Sequence, residues 1–409
     1  MAKTENLLQA IARIEARTGI PRTIFAACPN STAVVRAAFR AAKRNNAPIY
    51  FAATLNQIDC DGGYTGLTPV EFVRLARFEA EAVHFTGPTI IAIDHGGPWL
   101  KDKQSVERWT AEEAMAGVKR SFEAAVLAGY DLIHVDPTVD IHLPAGQTID
   151  IRVVVARTVE LIRHIETFRR ERNLAPISYE VGTEEVHGGL ADEATFDDFL
   201  AGLKAGLAEV GLNDVWPCFI VGKVGTDLHT TTFDPEVARR LTAKVRPCGS
   251  FIKGHYTDGV SNPEAYPLTG MGAANVGPEF TMSEYDALAE LEEIERELNA
   301  QGAVAQPSRI TTVLQRLVCD SGRWRKWLHG DEPGKEFDAL TPERQLWLVK
   351  TGCRYIWQHP EALVARQRLY DNLSRRGYAP EEVVLSRIER DMDKYFHAFN
   401  LVNLNDLLP

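Results

Sequence analysis

The sequence predicts an α/β fold: a (β/α)8 TIM barrel over residues 1–304, followed by an all-helical extension over 305–409. Three observations predict it. Short apolar runs bounded by Gly and Pro alternate with amphipathic stretches, and that alternation implies a parallel sheet with helices outside it. Eight such units fit in about 280 residues, which matches a closed barrel better than an open doubly wound sheet. The dinucleotide fingerprint is missing, since Gly270-Met271-Gly272-Ala273-Ala274-Asn275 lacks the third glycine and comes late in the chain.

In chain order, the runs at 23–28, 48–54, 89–93, 132–136, 177–181, 218–221, 250–252 and 272–276 read as strands buried on both faces. Between them, 33–43, 69–83, 111–127, 151–170, 196–210 and 235–245 carry apolar residues at helical spacing. Ser31-Thr32, Thr68-Pro69, Thr110 and Asp234-Pro235 supply caps or first-turn residues. The seventh connection, 261–267, has prolines that leave little room for a helix, and 283–301 supplies an acidic eighth helix. Beyond Ala305 the β runs stop. The remainder, with helical patterns at 310–319, 342–358, 360–373 and 380–396, holds four of the seven tryptophans, and predicts a unit that packs on the barrel or makes a subunit interface.

Composition narrows the function. A hydrophobic fraction of 45% and a charged fraction of 25% are those of a soluble globular protein. The net charge of −11 argues against nucleic-acid or anionic-membrane partners. The short basic aromatic cluster Arg323–Trp327 reads as a solvated helix face or subunit contact. Six scattered cysteines without a C-x-x-C pair predict reduced thiols, with Cys28, Cys218 and Cys248 as small core residues. A polar N-terminus and no 18-residue apolar span predict a cytoplasmic protein.

The chemistry is expected at strand exits. The third run ends in Asp94-His95, and two later runs finish near His229 and His255. In barrel enzymes catalytic groups sit at the C-terminal ends of strands. Three imidazoles there could hold one divalent metal with open positions, as a catalytic site requires. The side chains of Asp94 and His95 are expected to diverge, one toward metal and one toward substrate. Asp136 ends the fourth run and Glu180 lies in the fifth. Glu184 and Glu185 follow in a Gly-bounded loop suited to a general base. Asn56-Gln57, with the loop Gly62-Gly63-Tyr64-Thr65-Gly66-Leu67-Thr68-Pro69, is specific enough to contact a ligand. The loops Thr257-Asp258-Gly259 and Val276-Gly277-Pro278, with Asn275 before the second, lie where barrels usually cradle phosphate on backbone amides.

At these residues the chain resembles the non-catalytic (Z) subunit family of class II D-tagatose-1,6-bisphosphate aldolases. The resemblance rests on the Asn56-to-Pro69 segment, Asp94-His95 with Gly97-Pro98, Ile133-His134-Val135-Asp136, Gly182-Thr183-Glu184, His255 with Thr257-Asp258, Val276-Gly277-Pro278 and Arg354-Tyr355-Ile356-Trp357. It implies zinc on His95, His229 and His255, Asp94 as proton donor and acceptor, and Glu184 or Glu185 for the enediolate proton. It further implies retro-aldol cleavage at C3–C4, or C4 epimerisation, of a ketose or ketose phosphate bound by Asn56, Gln57, Asp136, Glu180, Thr257, Asp258, Asn275 and Gly277. His229 aligns only approximately, and Asn275 stands where relatives often carry lysine. The expected partners are a sugar or sugar phosphate, a second copy of the chain, and a separate catalytic aldolase subunit. In that last case the chain would be a stabilising subunit without chemistry of its own. A Schiff-base aldolase using Lys223 or Lys253 is the remaining enzyme reading.

Overall fold

The computed structural model describes residues 2–409 except 145–146, 183–192, 228 and 230. Eight strands form it: β1 (Ile24–Ala27), β2 (Ile49–Thr54), β3 (Thr89–Gly96), β4 (Leu132–Val135), β5 (Ser178–Gly182), β6 (Phe219–Val221), β7 (Phe251–Gly254) and β8 (Ala273–Val276). Each pairs in parallel with the next, and β8 pairs back to β1, closing the barrel. The cause is visible in the sequence. These runs are almost wholly buried, as strands must be when helices cover one face and the barrel interior fills the other.

The predicted helix starts are real. Ser31 accepts from Val34 N, and Asp234 accepts from Glu236 N and Val237 N. Thr68 and Thr110 form capping boxes with Glu71 and Glu113. The proline-rich seventh connection leaves only the short helix Ala265–Leu268. One element was not expected. Helix Lys3–Thr18 buries Leu7, Leu8, Ile11 and Ile14 in the barrel core, and Lys3 reaches Asp131 just before β4, so it covers the N-terminal rim.

Beyond the long helix Pro278–Ala300 come helices Ile310–Ser321, Pro342–Gly352, Pro360–Ser374 and Pro380–Ala398. The last lies along helix Thr32–Asn45, where Arg36, Arg40 and Arg44 pair with Glu381, Glu382, Glu389 and Asp393. Its Tyr395 stacks on Phe25 of β1 at 5.5 Å between ring centroids, and Phe396 meets the same ring edge-on at 5.1 Å. Barrel and extension therefore share one hydrophobic core. Among the described residues no helix is long and apolar enough to cross a membrane.

Candidate active site

The site lies at the C-terminal ends of the strands. Side chains alternate along a strand, so positions two apart share a face. His134 in β4, Glu180 in β5 and Lys253 in β7 point inward one layer below the barrel mouth, and His134 is the register partner of Glu180. The β3–β4 register shifts between Ile93 and Gly96, and His95 adopts a left-handed φ of 47°. A bulge with a non-glycine residue in that region re-aims a side chain at the cost of local strain. The consequence corrects an expectation. Asp94 and His95 do not diverge, because both border the same cavity.

Four buried groups converge: Asp94, His134, Glu180 and His255 each offer a donor atom, all within 4.8 Å of one another. His255 Nε2 lies 3.0 Å from Glu180 Oε1 and 3.5 Å from Asp94 Oδ1, and His134 Nδ1 is 3.6 Å from both carboxylates. The His95 ring centroid is 4.5 Å from that of His255 and 5.1 Å from that of His134. Two imidazoles and two carboxylates form a donor set suited to a divalent transition metal. The donor chemistry itself, two imidazoles and two carboxylates buried within 4.8 Å of one another, fits such an ion.

Surrounding groups tune this set. His95 Nδ1 lies 2.7 Å from Asp136 Oδ2, and Thr138 Oγ1 donates to the other Asp136 oxygen at 2.5 Å. A carboxylate on one ring nitrogen fixes the imidazole and makes the other nitrogen a better ligand. Lys253 Nζ donates to Glu180 Oε2 at 2.7 Å, and Asn275 Nδ2 donates to Asp94 Oδ1 at 3.0 Å. Burial disfavours ionisation of Asp94, but His95, His255 and Lys253 outweigh it and hold the carboxyl well below its usual range. Burial opposes Glu180 likewise, and Lys253 with His134 and His255 lowers it to about 2. Burial alone would lower Lys253, but Glu180 and Asp94 raise it. An ammonium held charged is the opposite of what a Schiff-base nucleophile needs.

Other expected residues take definite places. Asn56 and Gln57 line the cavity while tethering its walls: Asn56 bonds Leu100 O and the Asp102 backbone N–H, and Gln57 bonds Thr54 N and Asn30. Asp258, Asn275 and Gly277 line it too, whereas Thr257 is buried beside it. A Cβ on Gly277 would meet Cys28 at 3.1 Å, so a larger residue would crowd that wall. Glu184 and Glu185 lie outside the described residues.

His229 is not brought to the set. His229 N bonds Asp227 Oδ1 at 2.6 Å, and its exposed ring stacks on His329 of the extension at 4.0 Å. Its place is taken by His134, which the sequence flagged only within a strand motif. Its position two residues before Asp136 was the available signal, since it puts an imidazole on the inward face of a fully buried strand. Two further readings are corrected. Cys248 is exposed rather than core, and Cys28 borders the cavity. The cluster Arg323–Trp327 is more than a solvated face, because Arg323, Lys326 and Trp327 line the cavity together with Arg354 and Tyr355.

The D-tagatose-1,6-bisphosphate aldolase subunit GatZ/KbaZ-like family model matches residues 8–399. The chain belongs to this family. D-tagatose 6-phosphate 4-epimerase of Agrobacterium fabrum is 27% identical over 432 residues, covering 93% of this chain and 96% of the relative. Among solved structures, a probable tagatose 6-phosphate kinase from Sinorhizobium meliloti superposes with a TM-score of 0.76 at 23% identity, covering 92% of this chain and 100% of that one. Fructose-bisphosphate aldolase of Campylobacter jejuni gives a TM-score of 0.56 at 11% identity, over 98% of this chain and 95% of that one. These two structures share the fold.

Proposed function

We propose that the chain is a metal-dependent ketose 4-epimerase of the aldolase type, converting a tagatose phosphate to the fructose phosphate by reversible C3–C4 cleavage. The observation that carries this reading is Asp94, a carboxylate that belongs to the buried donor set and also borders the cavity. The name of the Agrobacterium relative points the same way.

His134, Glu180 and His255, with His95 beside them, would hold the ion, for which we favour zinc. When bound, a divalent ion supplies Lewis acidity at the ketose oxygens and stabilises the charge that develops on them. The chain's own part is positioning and proton transfer. Asp94 accepts the C4 hydroxyl proton as the C3–C4 bond breaks, leaving an aldehyde and an enediolate. Asn275 holds Asp94 in place through Oδ1. Turning the aldehyde over and re-forming the bond, with the proton returned from Asp94, inverts C4 with no net gain or loss of atoms.

The test is to incubate the purified chain alone with D-tagatose 6-phosphate and follow D-fructose 6-phosphate by NMR, before and after chelator treatment and metal return. Turnover that is lost in chelator and restored by metal is the expected result. Turnover seen only after a separate aldolase chain is added would sink the proposal in favour of a stabilising subunit.

A further inference from the structure

The reaction above leaves the end of the sugar remote from C4 without a seat. The usual anion cradle of a barrel, the backbone amides at the start of the helix after β8, is already filled: Asp258 Oδ1 accepts from Gly277 N at 2.9 Å and from Glu279 N at 2.8 Å. Positive charge is supplied instead by the extension. Arg354 is 5% exposed and borders the cavity, its guanidinium packed over the rings of Tyr355 at 4.6 Å and Trp327 at 5.0 Å. It donates to Thr351 O and Tyr355 Oη, and no carboxylate lies within ion-pair distance of it among the described residues. A buried guanidinium without a carboxylate is costly unless an anion arrives. Arg323 and Lys326 stand beside it on the same wall, sharing the single carboxylate of Asp102, and Arg323 Nε is buried without an acceptor among the described residues.

We infer that Arg354, Arg323 and Lys326 seat the phosphate of a ketose monophosphate. The inference rests on the epimerase reading for the sugar but not for the phosphate. Three cations, against Asp102 and the Asp258 that lines the same cavity, leave net positive charge for an anion. The filled amides at Gly277 and Glu279 make the substrate a monophosphate rather than a bisphosphate.

Inorganic phosphate is the direct probe. Calorimetric titration of the wild type should show one phosphate site, weakened at least about tenfold, the equivalent of one charged contact, in Arg354→Gln. The double variant Arg323→Gln/Lys326→Gln, at a part-buried and an exposed position, should show the same loss and stands alone if Arg354→Gln does not fold. With D-tagatose 6-phosphate the same variants should raise KM far more than they lower kcat, and Arg354→Lys should recover part of the loss. No phosphate binding by the wild type, binding unaltered in the folded variants, or a preference for a ketose ending in carboxylate would overturn the assignment. Phosphate binding that depends on these residues without any epimerisation would keep the subsite and sink the reaction instead. Epimerisation with KM unmoved in the variants would do the reverse.

Discussion

His134 lies in the donor set where His229 was expected, and the reason is burial. An imidazole in the inward layer of a barrel must find partners there, and His134 finds the backbone N–H of His95 at 3.1 Å on one nitrogen and, among the described residues, none on the other. A ring on an exposed loop can satisfy itself against any neighbour, as His229 does on His329. His134→Ala should therefore reduce bound metal in the dialysed protein, read by plasma mass spectrometry, to a small fraction of wild type, while His229→Ala should retain it. The opposite pattern would return the ligand role to the β6 loop. Asp136→Asn makes a finer test. It keeps the shape beside His95 but loses the charge on the far ring nitrogen, and metal affinity should fall by roughly 10–100-fold. Unchanged affinity would show that the His95–Asp136 pair is not part of the metal's support.

At the scale of elements, the strands and caps were legible because each has a local cause: a doubly buried apolar run, or a Ser, Thr or Asp beside free amides. The β3 bulge was not legible, since it depends on the register with β4, and nothing in Asp94-His95-Gly96 announces it. Helix Lys3–Thr18 is hard to read from sequence because its polar residues obscure Leu7, Leu8, Ile11 and Ile14. The start of helix Pro278–Ala300 carries a prediction of its own. Burial, reinforced by Glu279, pushes Asp258 up to about 6 despite the two amides it accepts from, with Arg354 only partly offsetting this. Tyr395 and Cys28 are coupled to the same carboxyl. A carboxyl raised in the folded state contributes stability that is complete below about pH 4 and is lost as pH rises through about 6. Asp258→Asn retains an oxygen for Gly277 N and Glu279 N, so it should gain stability over wild type across that window, by on the order of 2 kcal/mol at neutral pH. Melting temperatures of both proteins from pH 4.5 to 7.5 measure the difference, and a gap independent of pH would refute the account.

For the whole molecule, the boundary near residue 304 was legible as a change of pattern, but its meaning was not. No periodicity shows where a helical segment will dock. The extension does more than cover the barrel: it brings Arg354, Arg323 and Lys326 to the cavity, and it packs Tyr395 and Phe396 on Phe25 in β1. Glu389 is buried and receives both Arg40 and Arg44 from the helix after β1. Removing residues 305–409 would expose the ring of Phe25 and the helix 32–45 face, with a loss of roughly 3–5 kcal/mol for each large aromatic contact. A few such losses exceed the stability of an ordinary domain. Residues 1–304 alone should therefore fail to give a cooperative thermal transition. Glu389→Gln, which keeps the shape and removes the charge from between two arginines, should fold but unfold at a slightly lower temperature, since Arg40 and Arg44 are part-exposed and keep Glu382 and Asp393 as partners. A soluble 1–304 fragment with a cooperative transition near that of the full chain would mean that the barrel is complete by itself, and the extension would then be an addition to the site rather than part of the fold.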